Sequence, residues 1–162
     1  NLSNINLSSR YDNKITTLIK KLLQTHLPLR IRKYIIDTLF KKILSLSSNE
    51  FIKEMYLNTN DISEMIKSNM TFGVHGYDHL RWGELSKKKQ KIELDKSLEF
   101  LKKFDKKNKK FSVCYPYGSY NNDSLKILNR KDISFALTTK KGVIKKKNFN
   151  LLELPRLDTN DL

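Results

Sequence analysis

Apolar residues recur at helical spacing through the first third of the chain and then give way to short, β-prone runs. Ile15, Leu18, Ile19, Leu22 and Leu23 form the stripe of an amphipathic helix that begins at Lys14. His26-Leu27-Pro28 ends it, because proline has no N–H to give a helix. A second helix is predicted over 29–45, with Ile31, Ile35, Leu39 and Ile43 on one face. Ser47-Ser48-Asn49 reads as the cap of a third, over 50–56. Residues 1–13 are polar and rich in turn formers, which predicts loose order. His26 stands alone on this segment and reads as a capping or packing residue.

Beyond residue 57 the pattern changes. Thr59-Asn60-Asp61 is an N-cap region for a short helix over 62–69, leading into a strand over 71–74. Ser86 caps a long helix over 87–104, with Ile92, Leu94, Leu98 and Leu101 assigned to its buried side. A strand over 111–114, a helix over 124–129 capped by Asn121-Asn122-Asp123, and a strand over 133–138 follow. A turn over 140–142 and a last strand over 151–154 complete the chain. Strands alternating with helices at this spacing predict an α/β fold with a mostly parallel sheet. Residues 1–56 read as a helical N-terminal segment or insertion, and 57–162 as the α/β region.

Charge narrows the function classes. Thirty-two Lys and Arg against 17 Asp and Glu leave a net charge of +15. The lysines run together at 87–89, 106–110 and 145–147, without the interleaved aromatics of a base-stacking platform. Such a surface attracts polyanions weakly and in a salt-dependent way, but no specific nucleic-acid partner is expected. No run of about 18 apolar residues exists, so no membrane span is predicted. The first residues lack the pattern of a signal peptide. The single cysteine, Cys114, cannot form an internal disulfide and reads as a small core residue. Together these features predict a cytoplasmic location.

Three segments carry chemistry. Two of the three histidines, His75 and His79, lie four positions apart in Thr71-Phe-Gly-Val-His75-Gly-Tyr-Asp-His79. Gly73 and Gly76 argue against a helix there. A strand followed by a turn that brings both imidazoles to one side fits better, and neutral imidazoles suit zinc and its neighbours. Two surface histidines in a loop, or one stacked on Tyr77, is the plain alternative. The second segment is Cys114-Tyr115-Pro116-Tyr117-Gly118-Ser119-Tyr120-Asn121, a strand end breaking into a turn. The third is Leu154-Pro155-Arg156-Leu157-Asp158.

In this order, the three segments resemble the polysaccharide deacetylase family, the NodB-like carbohydrate esterases, from about residue 57 onward. The resemblance implies a distorted (β/α) barrel, incomplete here, since a full barrel takes about 200 residues or more. It implies that His75 and His79 are ligands of a divalent metal, zinc first, with Gly76 where the family has Ser or Thr. Tyr115, Pro116, Tyr117 and Gly118 map onto one wall of the substrate groove. A backbone N–H beside Tyr117 maps onto the oxyanion donor. Trp82, Tyr115, Tyr117 and Tyr120 are the aromatics placed to line the groove, with core or rim packing the plain alternative for each. Cys114 stands where the family has an arginine that orients a catalytic aspartate; either Arg156 replaces it in that catalytic role, or its loss marks a weakened site. The family's Asp-Asp pair, which supplies the base and a third ligand, occurs nowhere in the sequence. The family's closing histidine is also missing. The implied activity is metal-dependent removal of acetyl groups from N-acetylated sugars of a polysaccharide or its precursor, in surface-polysaccharide synthesis. A non-catalytic NodB-like domain that binds carbohydrate or serves structure is the second reading, and a basic polyanion-binding module the third.

Overall fold

The structure is a computed structural model that describes residues 5–9, 11–44, 48–144 and 149–159. The chain forms two compact units, Asn1–Asn58 and Thr59–Leu162.

The first unit is helical. α1 (Lys14–Lys21) starts where the Asn13 side chain accepts the Thr16 N–H at 2.8 Å, and Lys20 and Lys21 oppose the dipole in its last turn. A π-helical turn over Leu22–His26 stops before Pro28, and α2 (Leu29–Leu39) runs into a second such turn over Phe40–Leu44. α3 is Ser48–Met55. The expected cap over 47–49 begins outside the described residues, as does the lysine run at 145–147. The loose order expected for the first residues does not extend to Ile5, which is buried, nor to Asn6, whose carbonyl accepts the Lys21 ammonium. The His26 ring lies 2.7 Å from the Thr25 hydroxyl.

The second unit is α/β. α4 (Thr59–Lys67) begins at the residue expected to precede it. α5 (Lys87–Phe104) follows the Ser86 position as read, although the serine hydroxyl itself makes no capping bond. Its buried face is Gln90, Glu93, Leu94, Ser97, Leu98 and Leu101. Ile92 is exposed, because two residues from Leu94 is about 200° around a helix. β1 (Phe111–Cys114) is followed by α6 (Asn122–Leu128). The Asn121 side chain caps α6 by accepting the Asp123 and Ser124 N–H groups, and the Ser124 hydroxyl accepts the Asn121 N–H in return. β2 (Ile133–Lys141) continues through the expected turn, and β3 (Leu154–Arg156) lies later than predicted, because 150–153 close a turn first.

The strands form a parallel sheet in the order β1-β2-β3, with Val74 added by a single parallel bridge to Val113 on the free side of β1. This is an open parallel sheet and not a closed barrel. The expected strand over 71–74 is reduced to that bridge. Gly73 lets the chain approach, since a Cβ there would lie 2.5 Å from the Ser112 hydroxyl. Val74, Trp82, Leu94, Leu98, Phe111, Val113 and Ala136 fill the core beneath.

Charged groups lock α5 to the turn before β2. The Arg130 guanidinium bonds Asp95 at 2.6 Å and Asp132 at 2.9 Å, while Lys102 reaches Asp132 at 3.0 Å. Partial burial alone would raise both carboxyls. The hydrogen bonds from Lys91 and Arg130 to Asp95, and from Lys102 and Arg130 to Asp132, hold them below the ordinary 3.8. A depressed carboxyl adds stability that is whole above its unfolded value and is lost as pH falls through the folded one. The thermal midpoint should therefore drop as pH is lowered below about 4. In Arg130→Met that acid limb should be shallower, as followed by circular dichroism across pH 2–6.

Candidate metal centre

Two backbone bonds set the site. The Val74 N–H donates to the Ser112 carbonyl, and the Cys114 N–H donates to the Val74 carbonyl, each at 2.8 Å. The histidine loop therefore leaves the sheet beside the end of β1, where the Pro116–Gly118 turn begins. His75 Nδ1 lies 2.8 Å from the Cys114 carbonyl oxygen. A carbonyl can only accept, so Nδ1 carries the proton, and in the neutral tautomer Nε2 is the nitrogen with the lone pair.

That lone pair faces His79, with the two Nε2 atoms 3.1 Å apart. Two nitrogens bound to one tetrahedral zinc at 2.0–2.1 Å would be separated by about 3.3 Å. The pair thus already stands near the spacing of two ligands on one ion. His79 takes a left-handed backbone, φ 53°, to get there. Burial, and then repulsion between the two imidazoles were both to be protonated, lower its pKa from 6.5 and favour the neutral form. Among the described residues no third His, Cys, Asp or Glu completes a cluster with the pair.

The turn residues divide by exposure. Tyr115 is 2% exposed; its hydroxyl donates to the Leu152 carbonyl at 2.8 Å, and its ring stacks on Tyr120. Burial, with Tyr120 and Glu153 nearby, pushes its phenol far above the ordinary value, so it stays protonated. Pro116 is buried too, and Trp82 is 0% exposed, packed edge-on to Tyr115. These three support the site from beneath. Tyr117 is 42% exposed, at φ 57°, and its ring meets His79 at 4.8 Å. Gly118 follows at φ 65°, where a Cβ would lie 2.1 Å from the Thr139 hydroxyl. Tyr120 is half-buried and donates to Glu153 at 2.7 Å. Arg156, exposed at the end of β3, makes no recorded contact with the histidines among the described residues.

Two neighbours escaped the sequence reading. The Arg81 guanidinium lies 4.5 Å over the Tyr117 ring; it stands two residues past His79, and nothing in the pattern marked it. Glu93 is 3% exposed and accepts the Asp78 N–H at 2.8 Å. A carboxylate on the apolar stripe of α5 was the available signal.

Gly76 has a geometric reason to be glycine. At φ 78°, a Cβ would meet Pro116 Cγ at 3.0 Å and Trp82 Nε1 at 3.3 Å. Gly76→Ser should cost about 1–2 kcal/mol from the left-handed backbone alone, read as a lower denaturant midpoint.

A sequence model of the polysaccharide deacetylase family matches residues 31–136. No curated protein matches. Among solved structures, the chain is similar to the Streptococcus pyogenes deacetylase PplD in complex with acetate, at 29% identity and a TM-score of 0.58. That match covers 65% of this chain and 48% of the streptococcal one, so the chain spans about half the length of that relative. With the family match reaching across more than half of its residues, the chain belongs to the polysaccharide deacetylase family.

Proposed function

We propose that these residues form the metal-binding part of a hydrolase that removes acetyl groups from N-acetylated sugars of a polysaccharide or its precursor. One observation carries the reading: His75 and His79 face each other through Nε2 at 3.1 Å, with the His75 tautomer set by the Cys114 carbonyl. Metal-ligating histidines are oriented in this way by a bond to the far ring nitrogen. Zinc is the first candidate for a site built on imidazoles.

When bound, the ion supplies Lewis-acid polarisation of the acetyl carbonyl and of a water. The protein's share is positional. The exposed Tyr117 ring, flanked by His79 and Arg81, offers a flat face against which a sugar can lie. The Gly118 and Ser119 N–H groups are engaged in closing the turn, to the Tyr115 and Pro116 carbonyls, which leaves the Tyr117 N–H as the donor for the oxyanion. Water adds to the acetyl carbon, the C–N bond breaks, and acetate and a free amine result. The streptococcal relative in complex with acetate is consistent with that product. In this reading the described residues supply two of the metal's ligands, with Arg156 the candidate to orient the base.

The lack of a third ligand among the described residues favours one alternative, a family member that binds carbohydrate without turning it over. Elemental analysis of tag-free protein purified without chelator tests the site. About one zinc, cobalt, nickel or iron per chain is expected, and His75→Ala or His79→Ala should lose it while the far-ultraviolet spectrum is kept. Equal metal in parent and variants would sink the site. Restoring the family's Asp-Asp segment separates the two readings: acetate release from an N-acetylated oligosaccharide then supports the hydrolase, and bound metal without release supports the binding-only alternative.

A further inference from the structure

The histidine loop is held by little of its own. From His75 to Leu80, among the described residues, one main-chain N–H makes a recorded hydrogen bond, that of Asp78 to Glu93 Oε2 at 2.8 Å. Asp78 immediately precedes His79, whose left-handed backbone needs an external hold to persist.

Glu93 is an expensive residue at its position. It is almost fully buried on the face of α5 shared with Leu94 and Leu98, where an apolar side chain of similar length would avoid the desolvation of a carboxylate. What it does there is reach out of the core to the loop. Its Oε2 would lie 3.6 Å from a Cβ on Gly76, beside Trp82 Nε1, a buried N–H with no hydrogen-bond partner. Glu93 Oε2 and Trp82 Nε1 thus both lie close to Gly76, and the Glu93 carboxylate is the one that bonds the loop's main chain.

We propose that Glu93 is the positioning residue of the histidine pair: its carboxylate fixes the Asp78 main chain and so keeps His79 Nε2 facing His75 Nε2. This rests on the metal-site reading above, and the test separates the two. Glu93→Met keeps length and volume but removes the acceptor; Glu93→Gln removes the charge but keeps a carbonyl oxygen. Three readouts apply to the whole chain: hydrogen exchange of the Asp78 amide, the NOE between the two imidazole rings, whose centroids are 4.8 Å apart, and cobalt affinity.

The parent should protect the Asp78 amide and show the ring NOE. Glu93→Met should speed Asp78 exchange at least about tenfold, lose the NOE and weaken cobalt binding by about 10- to 100-fold, as loss of an outer-shell partner does. Glu93→Gln should restore all three. An unprotected Asp78 amide in the parent overturns the proposal without any variant. So does a Glu93→Met chain with parental exchange and NOE, or with parental cobalt affinity. Absence of cobalt binding in the parent overturns the metal reading alone, and Asp78 exchange with the ring NOE then decides the brace.

Discussion

Everything at the candidate site depends on a short parallel pairing between Val74 and β1. Two main-chain hydrogen bonds bring the histidine loop to the point where β1 ends, and both chemical segments then leave the sheet from the same edge. Loops that emerge at the carboxyl ends of parallel strands are where α/β proteins gather reactive groups from distant sequence. Here the separation bridged is that between His75 and Cys114. Gly73 is the residue that makes the approach possible, by presenting no Cβ to Ser112.

A second layer of polar contacts holds the frame around that pairing. The Gln90 amide, fully buried on α5, bonds the Leu85 carbonyl and the Asn121 side chain, and accepts the Ser124 hydroxyl. Asn121 in turn bonds the Gly83 carbonyl, and the Ser119 hydroxyl accepts the Gly83 N–H. The cap of α6 is therefore also the tie between the turn that follows the histidines and the turn that carries Tyr117. Buried polar groups satisfied in this way specify one arrangement more than they add raw stability.

The elements that were legible from sequence are those governed by local chemistry. β1 and α5 were read to the residue, and the Asn121 cap of α6 was visible as an Asn-Asn-Asp cluster before an apolar run. The histidine pair stood out by spacing and rarity, and the parallel sheet by alternation. What was not legible depends on tertiary contact. Gly73 in a β-prone run conceals that only Val74 pairs, and the late start of β3 follows from a turn closed between Asn150 and Glu153. Trp82 and Tyr115 look alike to Tyr117 in sequence, yet the first two are core and the third is surface. Arg81 acts across the fold with no local pattern to mark it, whereas Glu93 showed in sequence only as a carboxylate on the apolar stripe of α5.

The bond that orients His75 ends on the main chain of Cys114, not on its side chain. A carbonyl oxygen is present whatever residue occupies that position, so the tautomer is indifferent to mutation there as long as β1 keeps its course. Position 114, where relatives by resemblance carry arginine, is thereby open to neutral drift with respect to this contact. A change that would alter the ligand set if it fell on a histidine passes here without touching the imidazole's orientation. The residue that stands in place of the motif's arginine is thus one whose identity the ring does not sense.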